Sequence, residues 1–280
     1  MKQYSPARLT KPLRRKPVSL RGDNEFEEIS WNEAYNVIKE KINSVKADEN
    51  LFTVSSRSSN EEMYMVQKLA RAAVKTNNVT SFSNLDNSLI KRDISELNVE
   101  FEQVNKAGHI YILGDSMLNN HGVLAYKIYN AHYIDKVEVS LVGRPEEVGH
   151  MHKYEDKLTI ASYYHFFRAL NHYFISEGLE NMLFLNQRVK GYDQYKAEIL
   201  KEDFDTLLSA AGVTKADLSK WLKSFNNEQQ AIIVFDEDKY DSSTLQEIKN
   251  LSLISGKLGK TASGIIALKP KNNSHGLVDM

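Results

Sequence analysis

The sequence predicts an α/β protein whose mostly parallel sheets carry helices on both faces. Apolar runs of about five residues, which are typical of buried strands, alternate with helical patterns along the chain. The clearest run, His109–Leu113, stops at Gly114 and Asp115, and a helical pattern follows from Asn119. A strand, a small polar turn and a helix start offer backbone N–H groups to a phosphate. The alternative is an ordinary β-to-α turn with nothing bound.

Composition and charge exclude several classes of protein. The 280 residues carry a formal net charge of −1, which argues against a broad nucleic-acid-binding surface. No apolar run approaches the ~18 residues of a membrane span and no signal core follows Met1, so we expect a cytoplasmic location. The chain has no cysteine, which excludes disulfides and cysteine-ligated clusters within it. His150 and His152 are interpreted as a solvated loop rather than a metal site.

The first part of the chain opens with a basic, turn-rich segment, residues 1–23, which we interpret as lying on a surface, with a flexible terminus as the alternative. Ser30 and Glu33 then form a capping-box pattern that predicts a helix start. The remaining elements expected in this part are strands at 51–55 and 79–82, a helix after a capping loop at 56–62, and a helix near 90–97.

The second part repeats the strand and helix alternation. An irregular stretch, 143–158, precedes a long helix, 158–175, whose aromatic side chains are expected in the core. Thr214 is the expected N-cap of a later helix, and Asn119 and Asn120 are expected to cap the helix after Gly114 and to reach a ligand. The other expected elements are strands at 137–142, 231–235 and 264–268, and helices at 182–187, 192–200, 204–210, 215–225 and 243–254.

Small and polar residues follow most of the predicted strands. Ligands of parallel sheets bind beyond the carboxyl ends of the strands, so these turns are expected to meet at one crevice. The topology alone predicts this, whether or not a ligand binds there. The turns are residues 55–60, 83–87, 114–120, 143–145, 236–241 and 269–273.

An ordered series of segments carries a resemblance to a known family. The segments include 8–13, 28–34, 56–62, 67–72, 76–79, 112–116 with 120–123, 176–179, 255–260 and 272–280. In this order they resemble the molybdopterin oxidoreductase family, in particular formate dehydrogenase catalytic subunits and the large iron–sulfur subunit of NADH–quinone oxidoreductase. The resemblance covers nearly the whole chain.

The resemblance implies a Rossmann-like architecture similar to the central domains of formate dehydrogenase and dimethylsulfoxide reductase. Residues 1–83 would be part of an α/β domain completed by sequence beyond residue 280. Residues 84–268 would form a Rossmann-like dinucleotide-binding domain, and 269–280 a return segment. The chain would then be a fragment or a split gene product. Its partners would be an iron–sulfur segment or subunit and a C-terminal cofactor domain of the parent enzyme.

The resemblance also implies a cofactor, molybdopterin guanine dinucleotide with molybdenum or tungsten. Asp86 occupies the position of the family's cysteine or selenocysteine metal ligand, and a turn or capping role is the alternative for it. The residues expected near the dinucleotide are Gly114, Asp115, Asn119, Asn120, Arg144, Lys269, Asn272 and Asn273.

Several departures from the family pattern argue against a working active site. The histidine beside the metal ligand in formate dehydrogenases is Asn87 here, and the acid that normally precedes the arginine after the second strand is missing at Gly143. Residues 236–238 place three acidic side chains where a pyrophosphate would bind, which is electrostatically adverse. Lys269 supplies a charge without the bidentate geometry of arginine.

Three functions therefore remain open. The first is a formate-dehydrogenase-like domain that oxidises a small substrate by two electrons and passes them to iron–sulfur partners. The second is a degenerate, cofactor-free structural subunit of an electron-transfer complex of the NADH–quinone oxidoreductase type. The third is a nucleotide-binding or interaction module without a redox role, whose partner surface would be the basic segment 8–21.

Overall fold

The computed structural model describes residues 9–16, 26–82, 94, 97–148, 154 and 156–279. The chain divides into two compact units, Met1–Leu85 and Asp86–Asp279. The predicted helix near 90–97 falls almost wholly outside the described residues, and Asp86 falls wholly outside them. The same holds for His150 and His152.

The described residues of the first unit form two small sheets and two α-helices, besides a 3₁₀ turn at Ala47–Glu49. Its elements are β1 (Leu13–Arg15), antiparallel to β2 (Phe26–Glu28), α1 (Trp31–Asn43), β3 (Phe52–Thr53), α2 (Asn60–Lys68) and β4 (Val79–Thr80), parallel to β3. Ser30 caps α1 by accepting the backbone N–H of Glu33, as predicted. Ser59 and Glu62 form the capping box of α2, which continues as a π-helical segment, Leu69–Val74.

The second unit is built on a five-stranded, all-parallel sheet. Its strands are β5 (His109–Leu113), β6 (Glu138–Gly143), β7 (Asp156–Thr159), β8 (Ala231–Asp236) and β9 (Gly264–Leu268). They lie in the order β7-β6-β5-β8-β9, so the direction of winding reverses between β5 and β8. This is the doubly wound arrangement, and the predicted fold class is confirmed.

Helices connect these strands. They are α3 (Ser116–Asn120), α4 (Gly122–Tyr133), α5 (Pro145–Val148), α6 (Tyr163–Ser176), α7 (Met182–Arg188), α8 (Tyr192–Ile199), α9 (Phe204–Ala211), α10 (Lys215–Asn227), α11 (Ser242–Ile254) and α12 (Ser274–Asp279). Thr214 caps α10 as predicted. Among the described residues, no helix combines the length and apolar character needed to cross a bilayer.

Both faces of the sheet are buried, because the strands alternate between two apolar clusters. Tyr111 and Leu113 face one cluster with the aromatic side chains of α6, whereas Ile110 and Ile112 face the other. Phe166 on α6 is fully buried, so the prediction that the aromatic helix belongs to the core is confirmed. Burial on both faces explains why these strands are continuous apolar runs rather than alternating ones.

The aromatic helix, the helix after Gly114 and the strands predicted at 51–55 and 79–82 were wrong in extent, and one short helix was not expected. The aromatic helix begins at Tyr163 rather than near 158, because residues 156–159 pair with β6 as an edge strand. The helix after Gly114 starts at Ser116 and is interrupted at His121, so Asn119 and Asn120 lie inside α3 instead of capping a helix. The chain end forms a short helix, α12, that was not expected.

The two edges of the sheet differ. β7 is short and mostly exposed, and it carries Asp156 and Lys157. Along β9, the Asn98 side chain accepts the N–H of Ala267 at 2.7 Å and donates to its carbonyl at 3.3 Å. Val99 adds a backbone hydrogen bond to Ile265 at 2.8 Å. The backbone of the β9 edge is therefore paired by a non-strand segment.

A buried ionic cluster ties α6 to α11. Glu247 is 4% exposed and accepts hydrogen bonds from Arg168 at 2.8 Å, from Asn171 at 2.8 Å and from Tyr195 at 2.6 Å. Arg168 also donates to Glu202, whose side chain is 37% exposed. Removing one partner of a buried pair leaves the other charge uncompensated.

We therefore expect Glu247→Ala to lower the free energy of unfolding by about 3–5 kcal/mol. The control Glu202→Ala removes a more exposed carboxylate from the same guanidinium, and we expect a loss of about 1 kcal/mol or less. Urea unfolding followed by far-UV circular dichroism measures both. Equal losses in the two variants would contradict a central role for Glu247.

Candidate functional site

The carboxyl ends of four neighbouring strands bring several predicted site residues to one edge of the sheet. Gly114 follows β5, Arg144 follows β6, Asp236 ends β8 and Lys269 follows β9. The reversal of strand order between β5 and β8 places Gly114 and Asp236 at the point where ligands of such sheets bind. The predicted convergence of turns therefore holds for these turns of the second unit.

Gly114 adopts a left-handed conformation with φ +68°, which favours glycine. A Cβ atom built on it would lie 3.2 Å from the hydroxyl of Tyr163 and 3.4 Å from that of Tyr240. The two phenol rings meet edge to face, with centroids 4.8 Å apart. The close approach that glycine permits at this turn is thus used by two tyrosines of the same chain.

Glu147 completes this cluster. The hydroxyl of Tyr163 donates to its Oε2 at 2.6 Å, and the backbone N–H of Arg144 donates to the same oxygen at 2.8 Å. Burial raises the pKa of Tyr163, and the nearby Tyr240 and Glu147 raise it further. The phenol therefore stays protonated and remains a donor to the carboxylate. We call Glu147, Tyr163 and Tyr240 the tyrosine cluster.

Asp236, at the end of β8, has its partners in the helical break after Gly114. Its carboxylate is 3% exposed and accepts a hydrogen bond from Asn120 Nδ2 at 3.2 Å. His121 Nε2 lies 3.8 Å from the same carboxylate oxygen. The interruption between α3 and α4 at His121 thus points two side chains at a buried acid.

Glu237 is paired across the neighbouring strand end. Lys269 Nζ lies 2.7 Å from its Oε1, and the side chains are 14% and 3% exposed, respectively. This pair matters for the predicted site, because the lysine expected beside a pyrophosphate already compensates a buried carboxylate.

The other predicted residues make fewer contacts at this edge. Arg144 is exposed, with its guanidinium 5.9 Å from the ring centroid of Tyr163. Asp115 is half-buried and makes no capping hydrogen bond through its side chain. Asn119 and Asn272 are exposed, and Asn273 is half-buried. Asp86, the predicted metal ligand, lies outside the described residues.

The chain was compared with known proteins. Residues 8–276 match the family model described as molybdopterin oxidoreductase. The chain belongs to the molybdopterin oxidoreductase family. This confirms the resemblance identified in the sequence, and the family implies a molybdopterin cofactor that carries molybdenum or tungsten.

Curated relatives include formate dehydrogenases. The chain is 25% identical to the F420-dependent formate dehydrogenase 2 subunit alpha of Methanococcus maripaludis, and 28% identical to the F420-dependent formate dehydrogenase subunit alpha of Methanocaldococcus jannaschii. Each alignment covers 99% of this chain and 42% of the relative. The chain therefore spans less than half the length of these relatives.

A solved structure shares the fold. Acetylene hydratase from Pelobacter acetylenicus superposes on 91% of this chain with a TM-score of 0.62, at 17% sequence identity, and 36% of that protein is covered. The similarity shows the architecture of the chain and carries no inference about its chemistry.

The residues at the switch point do not fit the pyrophosphate of a dinucleotide cofactor. The tyrosine cluster lies against Gly114, where a phosphate would approach the backbone. Asp236 and Glu237 place two buried carboxylates at the same edge, and a pyrophosphate would have to approach both. The cofactor-binding roles of Asn120 and Lys269 stay predictions. In the structure, both side chains instead contact these acids, and those contacts would compete with a bound cofactor.

A metal site is equally poorly supported by the described part of the chain. Within it, no group of three or more His, Asp or Glu side chains is placed to hold a metal ion. The candidate ligand Asp86 falls outside that part, so its role stays a prediction.

Sequence reasoning missed the tyrosine cluster. Tyr163 was assigned to the core as one of the helix aromatics, and Glu147 fell in a stretch interpreted as irregular. Tyr240 lies in the predicted 236–241 turn, but nothing in its local sequence indicates a partner. Glu147 follows β6, Tyr163 follows β7 and Tyr240 follows β8, so the three meet because the topology brings the ends of these strands to one edge of the sheet.

We expect Gly114→Ala to lower the free energy of unfolding by about 1–2 kcal/mol, because a Cβ is unfavourable at positive φ. The new methyl group also meets the hydroxyl of Tyr163. Gly122→Ala is the control, since nothing lies within 4 Å of its added Cβ at the start of α4. Thermal unfolding of both variants measures the difference. A Gly114→Ala variant as stable as Gly122→Ala would contradict the packing described for the tyrosine cluster.

Proposed function

We propose that this chain is a structural domain, without a bound dinucleotide cofactor, of an electron-transfer assembly of the formate dehydrogenase or NADH–quinone oxidoreductase type. The observation that carries the proposal is the tyrosine cluster, which occupies the approach to Gly114. In this role the domain keeps the family fold and supplies a rigid body on which other parts of the assembly dock.

The charge distribution at the switch point supports the same proposal. A bound pyrophosphate would add negative charge next to Asp236 and Glu237, which are both 3% exposed. In a poorly solvated site such repulsion is weakly screened. Lys269 and Asn120 stabilise the fold by compensating these acids, so recruiting either side chain to a ligand would leave a buried carboxylate short of a partner.

The proposed partners are an iron–sulfur segment or subunit and a C-terminal domain of the parent protein. The relatives are named as alpha subunits, and this chain spans 42% of their length. Residues 1–83 are proposed to be completed by sequence beyond residue 280, with 84–268 as the Rossmann-like domain and 269–280 as a return segment. The cytoplasmic location stays a prediction.

A second candidate is the catalytic one, a domain that binds molybdopterin guanine dinucleotide and takes part in two-electron oxidation of a small substrate. The observation that favours it is the left-handed turn at Gly114, with φ +68°. Such a turn directs backbone N–H groups beyond the strand. In this alternative Asp86 would face the metal, and the tyrosine cluster would have to move aside before the cofactor entered.

Metal analysis and one substitution separate the two candidates in the intact parent assembly. For a structural domain, we expect no stoichiometric molybdenum or tungsten assignable to this subunit, and an unchanged electron-transfer rate in Arg144→Ala. The control is Arg188→Ala, which removes an equally charged exposed side chain at the end of α7. The proposal would be overturned by stoichiometric molybdenum or tungsten in this subunit together with an electron-transfer rate that is lost in Arg144→Ala but kept in Arg188→Ala.

Nucleotide titration tests the site itself and also the third function, a nucleotide-binding module. We expect calorimetry with GDP to detect no binding to the 280-residue chain at millimolar concentrations. Binding that is weakened by Gly114→Ala but not by Gly122→Ala would place a nucleotide at the turn and contradict the proposed closure. A Lys269→Met variant provides a further check, because a phosphate site would lose affinity with that charge.

A further inference from the structure

A second cavity lies at the opposite, amino-terminal edge of the same sheet. It has a volume of about 630 Å³. Its lining includes His109, Tyr111, Glu138, Ser140, Asp156 and Trp221. They come from β5, β6, β7 and α10. The cavity belongs to the second unit alone, and neither the family resemblance nor the proposed function involves it.

A chain of hydrogen bonds forms the floor of this cavity. Ser140 donates its hydroxyl hydrogen to Asp156 Oδ2 and, as an acceptor, lies 2.6 Å from His109 Nε2. The network therefore assigns the imidazole proton to Nε2. On the other side, the hydroxyl of Ser224 lies 3.3 Å from His109 Nδ1 and 2.8 Å from the hydroxyl of Tyr111.

This assignment leaves an unfavourable contact at the mouth of the cavity. In the neutral imidazole, Nδ1 carries a lone pair, yet Glu138 Oε2 lies 3.2 Å from it. Burial lowers the pKa of His109, and Glu138, Asp156 and Glu228 offset this only partly. The imidazole therefore tends to stay neutral, so that a carboxylate oxygen faces a lone pair. A cation beside Glu138 would relieve the repulsion.

Charged groups at the rim favour a cation as well. Glu138, Asp156 and Asp217 supply carboxylates, whereas Lys157 and Lys220 supply ammonium groups. Lys220 Nζ lies 3.9 Å from Asp156 Oδ1, and its side chain is 82% exposed. An ammonium group of the chain itself thus already lies near one of these carboxylates.

The wall of the cavity is aromatic. His109 and Tyr111 stack with centroids 4.1 Å apart, and Tyr111 meets Trp221 at 4.7 Å. Trp221 is 6% exposed, and its indole Nε1–H has no hydrogen-bond partner among the described residues. An indole N–H that is buried without an acceptor carries a free-energy cost. The indole nitrogen itself is shielded from the cavity, whereas a ligand with an aromatic body would add contact area along this wall.

A hydrolase site is not supported by the same residues. Ser140, His109 and Glu138 are placed in the order of a nucleophile, a base and an orienting acid. However, Ser140 is 3% exposed and lies inside β6, paired with strands on both sides. Its hydroxyl hydrogen is also committed to Asp156. The arrangement suits binding rather than nucleophilic attack.

We propose that this cavity binds a small arylalkyl ammonium ion, whose ammonium group lies between Glu138 and Asp156 and whose ring packs against Trp221. The carboxylates attract the charge, and the aromatic wall provides apolar contact for the ring. Because the side chains of Glu138 and Asp156 are 77% and 58% exposed, each contributes modestly.

Three probes that share a 4-hydroxyphenyl group but differ in charge test the proposal on the 280-residue chain. They are tyramine, the neutral alcohol tyrosol, and the anionic 3-(4-hydroxyphenyl)propionate. Calorimetry is expected to detect millimolar or tighter binding of tyramine and weaker binding of the other two. Glu138→Gln and Asp156→Asn are each expected to lower the affinity for tyramine about three- to five-fold. The control Glu177→Gln, at the exposed end of α6, leaves the affinity unchanged.

A second readout reports the position of the charge. Tyramine bound beside Glu138 is expected to lower the pKa of His109 further, because imidazolium formation would then place two cations together. Proton NMR of the imidazole measures this shift, and tyrosol should not produce it. The proposal is overturned by equal affinity for the three probes, by an absence of tyramine binding, or by binding that Glu138→Gln and Asp156→Asn leave unchanged.

Discussion

Burial of a parallel sheet on both faces is the constraint on which the rest of the second unit depends. The central pair, β5 and β8, has every residue buried, so each strand must present apolar side chains to two helical layers. A parallel strand cannot return directly to its neighbour and needs a crossover. The crossovers bring the turns after these strands to the same edge of the sheet. The closeness of Gly114, Asp236 and Lys269 therefore follows from the sheet.

What fills that edge is decided by side chains rather than by topology. Family membership rests on the sequence of residues 8–276 as a whole, whereas cofactor binding rests on a few contacts. Here those contacts link the chain to itself. Glu147 bonds Tyr163, Asn120 bonds Asp236, and Lys269 pairs with Glu237. A fold can thus keep the crevice that its family uses while the crevice becomes part of the protein's own packing.

The strands that sequence reasoning located well are the ones buried on both faces. β5 and β9 match the apolar runs, because two-sided burial leaves a continuous pattern. The edge strand β7 was missed, since its exposed charged residues resemble a loop. At the site, the turns could be predicted but not their partners. Tyr163 and Tyr240 are far apart in sequence. Neither the helical pattern around Tyr163 nor the turn around Tyr240 indicates that the two side chains touch. The cavity at the amino-terminal edge was missed for the same reason. The sequence around His109 predicts a buried strand but does not indicate which residues of other elements lie beside it.

The two sides of the sheet end in different ways, and this limits how the domain can associate. Asn98 and Val99 use the free backbone groups of β9, so a foreign strand finds no open ladder there. On β7, a strand of four residues, Asp156 and Lys157 place charged side chains along the edge, which disfavours the addition of an apolar strand. Lateral growth of this sheet is thus blocked by hydrogen bonding on one margin and by charge on the other. In the described part of the second unit, the surfaces left for contact are therefore those of helices and loops rather than strand edges.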